Sequence, residues 1–172
     1  MKKIFFALAA IFCISLTVNA QVEMVKTLPS VNIKTIDGKT FNASDICSGE
    51  NAGHPIIISF WALWCKNCIK ELNAINDVYE DWQDETGVIL YAVSIDDAQR
   101  NANVKSFANS KGWEYELLLD ANQDFKRAMN VGNIPHTFVL NGKGEVVWQH
   151  TSYFDGAENE LFEAVKQAAK SK

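Results

Sequence analysis

The sequence is poor in cysteine, proline and histidine, with 4, 3 and 3 of these residues among 172. It contains one C-x-x-C pair, and it has no second such pair or close Cys/His pair to complete the four ligands of a structural zinc site. Internal repeats and low-complexity segments are also absent from the sequence. These absences argue against a repeat array or a metal-stapled scaffold and favour one compact domain.

Positive charge is in deficit as well. Lys and Arg together number 16 against 21 Asp and Glu, which gives a net charge of −5 at pH 7. Proteins that bind nucleic acids usually present a basic face, because the phosphate backbone dominates their affinity. We therefore expect no nucleic acid among the partners of this chain.

The N-terminal apolar run is too short for a permanent membrane helix. Lys2 and Lys3 precede an apolar run over residues 4–18, whereas roughly 20 apolar residues are needed to cross a bilayer. The small residue Ala20 then completes the pattern of a secretory signal peptide. We expect a signal peptide over residues 1–20, cleavage after Ala20, and export to the periplasm or the outer face of the cytoplasmic membrane. An uncleaved anchor is the alternative.

Three of the four cysteines would remain after this cleavage. Cys13 would leave with the signal, since it follows Phe12 inside the apolar run and does not fit a lipoprotein signal. The mature chain, residues 21–172, is then one domain of ordinary size. An odd number of cysteines outside the cytoplasm leaves at least one thiol unpaired, or paired only in some states.

The mature chain alternates between strand and helix patterns. A hairpin is predicted over residues 31–36 and 39–41, around Asp37-Gly38, ahead of the main fold. Strands are predicted over residues 56–60, 88–94, 115–119, 136–140 and 145–150, and helices over about 65–83, before Gly112, over 124–129 and at the C-terminus. Helices between strands require crossover connections, so we predict an α/β fold with a mixed sheet flanked by helices.

The C-x-x-C pair, Cys65 and Cys68, lies at the start of the predicted helix that follows a buried strand. Two cysteines at this spacing can form a disulfide or stay reduced with little backbone movement. Cys65 faces the positive pole of the helix, which favours its thiolate, and Lys66 adds a positive charge nearby. We predict Cys65 as the attacking nucleophile, Cys68 as the resolving thiol, and Trp64 as an apolar surface for the partner chain.

Two structural interpretations compete with this chemistry. A zinc site lacks its remaining ligands. A purely structural disulfide would stabilise little, because so short a loop removes little entropy from the unfolded chain. Both explain the pair less well than redox cycling.

The chain resembles the thioredoxin superfamily and, within it, the exported TlpA-like and ResA-like thiol-disulfide oxidoreductases, over nearly all of its mature length. The matching features are the leading hairpin, the strand running into Trp61-Ala62-Leu63-Trp64-Cys65, the pair Cys65/Cys68, the dipeptide Ile134-Pro135, and the closing hairpin and helix. The resemblance implies a thioredoxin fold with an N-terminal β-hairpin extension and no cofactor.

The resemblance also assigns roles to other residues. Pro135 should be a cis-proline beside the active-site disulfide, where the backbone of Ile134 can pair with a substrate strand. Glu71, one helical turn after Cys68, should be an active-site carboxylate that accepts the Cys68 proton. The alternative for Glu71 is an ordinary solvated glutamate on the helix surface.

Three positions depart from the family pattern. Ser59 stands where thioredoxins have a buried aspartate, six residues before the first cysteine, which gives more weight to Glu71. The inter-cysteine pair Lys66-Asn67 lacks the common proline and leaves the redox potential open. Asn73 replaces a proline that kinks the helix in many relatives, so we expect a straighter first helix.

The resemblance implies an enzyme that exchanges disulfides with exported proteins, apocytochrome c among them, as their reductant. A membrane electron donor of the thiol-relay type would re-reduce the pair, and we expect a monomer. The alternatives are an oxidase or isomerase and, in another class, a copper-handling module that uses Cys65, Cys68 and His136. A peroxidase is disfavoured because no threonine-rich activating loop precedes a single cysteine. Cys47 and His136 are otherwise interpreted as a buried thiol and a plain strand histidine.

Overall fold

The computed structural model describes residues 25–171. The predicted signal peptide, its cleavage site and Cys13 lie outside the described residues. Within the described part of the chain, no helix is both long enough and apolar enough to cross a membrane.

In the described part of the chain, seven strands form one mixed sheet at the centre of the fold. They are β1 (Asn32–Thr35), β2 (Thr40–Asn42), β3 (Ile56–Trp61), β4 (Ile89–Ser94), β5 (Glu116–Leu119), β6 (His136–Leu140) and β7 (Val146–Thr151), in the order β2-β1-β5-β4-β3-β6-β7. Strands β3, β4 and β5 are parallel, and every other pairing is antiparallel. The predicted mixed sheet is confirmed. The N-terminal hairpin pairs through β1 with β5 and thereby extends this sheet.

Within residues 25–171, five α-helices cover the sheet. They are α1 (Lys66–Asn76), α2 (Tyr79–Thr86), α3 (Ala98–Lys111), α4 (Asp124–Ala128) and α5 (Ala157–Lys170). Helices α1, α2 and α5 pack on one another, with α1 on β3 and α5 on β6 and β7. Two short 3₁₀ turns, Ala43–Cys47 and Gly49–Asn51, lie between β2 and β3. The prediction of a helix ending at Gly112 is confirmed, with this glycine in the left-handed conformation that ends α3.

The helix predicted over residues 65–83 is in fact two helices. The N–H of Val78 donates to the C=O of Ile75, and Val78 itself leaves the helical conformation, with φ −127° and ψ 4°. The sequence pattern appeared continuous because Ile75, Tyr79 and Trp82 are all buried at helical spacing on both sides of this interruption.

The interruption also corrects the expectation of a straighter first helix. Asn73 lies inside α1, and its Oδ1 accepts a hydrogen bond of 2.9 Å from Trp113 Nε1. The helical segment is therefore interrupted although position 73 is not a proline. The interruption lies at Asp77 and Val78, between the end of α1 and the start of α2.

The central strand β3 is buried along its whole length. Successive side chains of a strand point to opposite faces of the sheet. Phe60 meets Phe125 of α4 and Phe138 of β6 on one face, with ring centroids 5.2 and 6.1 Å apart. Ser59 points to the other face, which α1 and α5 cover.

Candidate active site

Cys65 and Cys68 form a disulfide at the N-terminus of α1, with their Cα atoms 5.3 Å apart. Strand β3 ends at Trp61, and the short loop that follows delivers Cys65 to the N-cap position of the helix. There the Cys65 Sγ accepts a hydrogen bond of 3.2 Å from the Cys68 N–H. Free N–H groups at a helix N-terminus stabilise negative charge, so this position suits a thiolate.

The two sulfur-bearing residues differ in exposure. Cys65 is 8% exposed and Cys68 is 1% exposed. An attacking cysteine must reach a partner disulfide, whereas a resolving cysteine needs only to reach its neighbour. The order of exposure therefore fits the predicted roles of Cys65 and Cys68.

Asp96 anchors the loop between β3 and α1. It is 1% exposed, and its Oδ2 accepts hydrogen bonds from the Leu63 N–H at 2.8 Å and the Ser94 Oγ at 2.9 Å. The Ile95 N–H also donates to the Trp61 carbonyl at 2.9 Å. The end of β4 thus fixes the peptide that leads to the redox pair, and it leaves Trp64 pointing outward with 59% of its surface exposed.

The peptide bond between Ile134 and Pro135 is cis, as expected. His136 pairs with Phe60 in the β6–β3 register, so Pro135 lies beside the end of β3 from which the redox loop departs. The Pro135 carbonyl accepts a hydrogen bond from the Ser152 N–H at 3.0 Å. Within the described residues the half-buried Ile134 has no backbone hydrogen bond, which leaves it free to pair with an added chain.

Glu71 is buried, with 1% of its surface exposed, so the alternative of a solvated helix glutamate is wrong. Its Oε1 accepts a hydrogen bond of 2.7 Å from Thr137 Oγ1 and lies 3.0 Å from His150 Nε2. Thr137 Oγ1 is also 3.0 Å from Ser59 Oγ. Because the shorter contact to the carboxylate uses the single Thr137 proton, the Ser59 hydroxyl donates to Thr137.

Ser59, Thr137 and His150 form a polar row across three strands. Ser59 is paired with Thr137 in the β3–β6 register, and Thr137 with His150 in the β6–β7 register. Their side chains therefore share one face of the sheet, and Glu71 projects onto them from α1. The position where thioredoxins have an aspartate is thus connected to Glu71 through Thr137.

The second oxygen of Glu71 is in a different situation. Oε2 is buried and has no hydrogen-bond donor among the described residues. Its helix places Glu71 three residues after Cys68, which is one turn along the same side. The structure thus leaves one buried carboxylate oxygen without a hydrogen bond among the described residues, on a residue one helical turn after Cys68.

Comparison with known proteins places these features in a family. A model of the AhpC/TSA family matches residues 24–149. The chain belongs to the AhpC/TSA family. Thiol-disulfide oxidoreductase ResA of Bacillus thuringiensis (strain Al Hakam) is 28% identical over 129 residues, which cover 75% of this chain and 70% of the relative.

Solved structures of similar proteins share the fold. An uncharacterized thioredoxin-like protein from Porphyromonas gingivalis is 54% identical, with a TM-score of 0.73, over 83% of this chain and 92% of that one. StoA from Bacillus subtilis, 23% identical with a TM-score of 0.61 over 81% of this chain and 99% of that one, shares the fold. The predicted thioredoxin fold and the predicted enzyme class, a thiol-disulfide oxidoreductase, are confirmed for this AhpC/TSA protein.

The remaining candidates of this AhpC/TSA protein lie apart from the polar row. Cys47 is a half-buried free thiol, and burial raises its pKa. His136 stacks on Phe138 with ring centroids 4.3 Å apart, on the face opposite Glu71, and its Nε2 lies 3.1 Å from Gln149 Oε1. Over residues 25–171 no three His, Cys, Asp or Glu side chains are grouped to hold a metal ion.

Sequence reasoning missed Thr137, His150 and Asp96 as parts of the site. His150 lies in β7, and the register of this strand with β6 brings its side chain to Glu71. A register shift between Val139 and Leu140 intervenes in this pairing, so alternation along the strand alone could not place His150 opposite Thr137.

Proposed function

We propose that this protein reduces disulfide bonds of exported proteins by thiol-disulfide exchange through Cys65 and Cys68. The observation that carries the proposal is a disulfide at a helix N-terminus whose outer cysteine is 8% exposed and whose inner cysteine is 1% exposed. Such a site needs no cofactor, because the two sulfur atoms themselves carry the two electrons.

The first step belongs to Cys65. Its thiolate attacks one sulfur of the client disulfide, forms a mixed disulfide with that sulfur and expels the other as a thiolate. The N-terminus of α1 stabilises the attacking charge through the free N–H groups of the helix. Trp64 and the Ile134 backbone beside cis-Pro135 hold the client chain across the site.

The second step belongs to Cys68 and Glu71. Glu71 Oε2, buried and without a donor, accepts the Cys68 proton, and the resulting thiolate attacks the Cys65 sulfur. The mixed disulfide breaks, the Cys65–Cys68 bond forms, and the client leaves as a thiolate that solvent protonates. Two electrons have then passed from the protein to the client.

The proposed setting is the periplasm or the outer face of the cytoplasmic membrane, after cleavage between Ala20 and Gln21. The proposal rests on the charge and apolar pattern of the N-terminus, and on the similarity to ResA. A membrane electron donor restores the dithiol, and apocytochrome c is one client that this setting would supply. N-terminal sequencing of the exported protein tests the cleavage, and a start at Met1 would contradict it.

Trapping experiments test the roles of the two cysteines. Cys65→Ser should abolish insulin reduction, whereas Cys68→Ser should accumulate a mixed disulfide on Cys65, because only the resolving step is lost. Cys47→Ser is the matched control and should behave as wild type. Mass spectrometry locates the adduct, and an adduct on Cys68 or Cys47 in the wild-type background would contradict the assignment.

The reduction potential tests the direction of exchange. We expect a value near that of thioredoxin, about −270 mV, rather than near that of a strong oxidant, about −120 mV. Equilibration with glutathione buffers of graded composition, read by alkylation of free thiols, measures it. A reduction potential at the oxidising end of this range would contradict the role of reductant and favour the oxidase or isomerase alternative.

A further inference from the structure

His150 contacts the proposed proton acceptor but has no part in the steps above. Its Nε2 lies 3.0 Å from Glu71 Oε1, and its ring packs on Trp148 with centroids 4.8 Å apart. The His150 side chain is 15% exposed, whereas the Glu71 side chain is 1% exposed. The imidazole therefore connects a buried carboxyl group to the solvent.

The contact between Glu71 Oε1 and His150 Nε2 is compatible with a proton on either of these two atoms. With the carboxylate ionised, the protonated Nε2 of His150 donates to Oε1. With the carboxyl group protonated, a neutral imidazole whose proton is on Nδ1 accepts at Nε2. A proton can therefore cross between Oε1 and Nε2 at their observed distance of 3.0 Å, whereas a proton taken up on Oε2 reaches Oε1 by rotation of the carboxyl group.

We propose that His150 is a positioning residue that relays the resolving-step proton between Glu71 and solvent. The proposal rests on the proposed function, in which Cys68 must lose a proton before it attacks Cys65. Oxidation of the pair releases the Cys68 proton, and re-reduction of the pair takes a proton up again, so a buried acceptor that exchanges protons with solvent can serve both stages. The neighbouring imidazole gives the proton a route out of the site.

The protons and electrons of the relay balance. The Cys68 thiol gives its proton to Glu71 Oε2 and becomes the thiolate that attacks Cys65. Through water, His150 exchanges its Nε2 proton for one on Nδ1, and the carboxyl group rotates to present its proton at Oε1. Nε2 then takes this proton while Nδ1 releases one to water. The carboxylate and the neutral imidazole are restored, with two electrons passed to the client and one proton to solvent.

Other titratable groups near the pair have identifiable effects. His136 on β6 interacts electrostatically with both Glu71 and His150, but burial lowers its pKa, so it stays uncharged at neutral pH. Tyr153 after β7 also faces Glu71, and burial followed by the nearby Glu158 raises the pKa of Tyr153 to about 12. Neither group therefore competes for the proton near neutral pH.

A purely structural role for His150, as a clamp between β7 and α1, makes a different prediction. His150→Gln keeps a side-chain N–H that can donate to Glu71 Oε1 but cannot carry a proton. A clamp would survive this change, whereas a relay would not. His54→Gln is the matched control, because His54 precedes β3 at the far end of the sheet and contacts Gly87 O at 3.0 Å.

The test follows the two steps separately with 5,5′-dithiobis(2-nitrobenzoate) as the probe, with every variant carrying Cys47→Ser so that the free Cys47 thiol adds no third release. The first thionitrobenzoate released from reduced protein reports the attack of Cys65, and the second reports resolution by Cys68. We expect His150→Gln to leave the first phase unchanged and to slow the second about tenfold near neutral pH, a small part of what general acid–base catalysis contributes. Added imidazole should restore the second phase of His150→Ala, and His54→Gln should behave as wild type in both.

Each outcome decides the proposal. The relay is overturned if the rate of the second phase is the same in His150→Gln and wild type from pH 5 to 8, measured in steps of about one unit. If Glu71→Gln still slows that phase, the proposed role of Glu71 stands. If the effects of Glu71→Gln and His150→Gln multiply in the double variant, the two residues act independently, which also overturns the relay. A double variant no slower than Glu71→Gln supports it.

Discussion

The two faces of strands β3, β6 and β7 are built from neighbouring residues but have opposite character. On one face the phenyl cluster, defined as Phe60, Phe125 and Phe138, packs ring against ring with centroids 5.2 and 6.1 Å apart. On the other face the polar row meets the buried Glu71. Ser59 and Phe60 are consecutive residues of β3, and Thr137 and Phe138 are consecutive residues of β6, so the members of each pair point to opposite faces.

The two faces differ in what burial costs. Removing phenyl rings from water stabilises the fold, because apolar burial contributes about 25 cal/mol per Å². Burying a carboxyl group costs several kcal/mol unless its contacts compensate, and one Glu71 oxygen has no donor within the described residues. The phenyl face therefore contributes stability, whereas the polar face retains a costly group beside the redox pair.

The largest expected effect separates the faces by stability. Phe125→Ala should lower the free energy of unfolding by about 3–5 kcal/mol, because Phe125 is fully buried against Phe60 and its removal leaves a cavity. Urea denaturation measures this loss. The activity per folded molecule should stay at the wild-type level, and a parallel loss of activity in fully folded samples would show that the phenyl cluster also shapes the site.

The second prediction concerns the polar face. Glu71→Gln should slow the resolving step about a hundredfold near neutral pH, because the amide cannot accept the Cys68 proton. The free energy of unfolding should change by less than about 1 kcal/mol, since the amide can retain the contact with Thr137. Thiol alkylation rate against pH provides a second measurement, as a change in the macroscopic titration of the coupled site.

The control for this experiment is Glu80→Gln, an exposed position on α2 that should leave both phases unchanged. If the alkylation profiles and resolution rates of Glu71→Gln and wild type coincide across the pH range, the proton-acceptor role must be abandoned.

Much of the apolar architecture could be predicted from the sequence. Apolar runs such as residues 56–60 indicate buried strands whatever their partners, and Gly112 ends α3 through its own backbone freedom. Local chemistry likewise placed Cys65 and Cys68 at the start of a helix. These features depend on residues close in sequence.

The polar face could be predicted only in part. The sequence with its family resemblance pointed to Glu71 and Ser59, but not to the Thr137 hydroxyl that connects them. The contact of His150 with Glu71 depends on strand register, which a shift at Val139/Leu140 alters. The helix interruption at Val78 was missed for a similar reason, because burial on both sides preserved the helical spacing.

A smaller effect should come from Thr137. Thr137→Val keeps the shape of the side chain but removes the hydroxyl that contacts Glu71 at 2.7 Å and Ser59 at 3.0 Å. We expect a loss of about 1–3 kcal/mol in the free energy of unfolding, because Glu71 and Ser59 each lose a buried partner. Denaturation of Ser59→Ala, which removes only the outer hydroxyl, should show a smaller loss. Equal losses would mean that Glu71 does not depend on Thr137.

The smallest effect should be a dependence of the free energy of unfolding on pH. It tests whether the face that holds the phenyl cluster disfavours a charged imidazole at His136. Burial against Phe138 lowers the pKa of His136 below its ordinary value of 6.5. At a pH between the pKa of His136 in the folded protein and its ordinary pKa, the unfolded chain binds the proton and the folded protein does not. This residue therefore destabilises the fold progressively as the pH falls below about 6.5. Above that pH the residue is neutral in both states and contributes no slope. His136→Gln should remove this contribution, so its free energy of unfolding should gain on that of wild type as the pH falls from 6.5 to 5. His54→Gln, at an exposed loop position, should keep the wild-type slope. Chemical denaturation at several pH values measures the difference, and a constant difference between His136→Gln and wild type down to pH 5 would show that this face accommodates a charged imidazole.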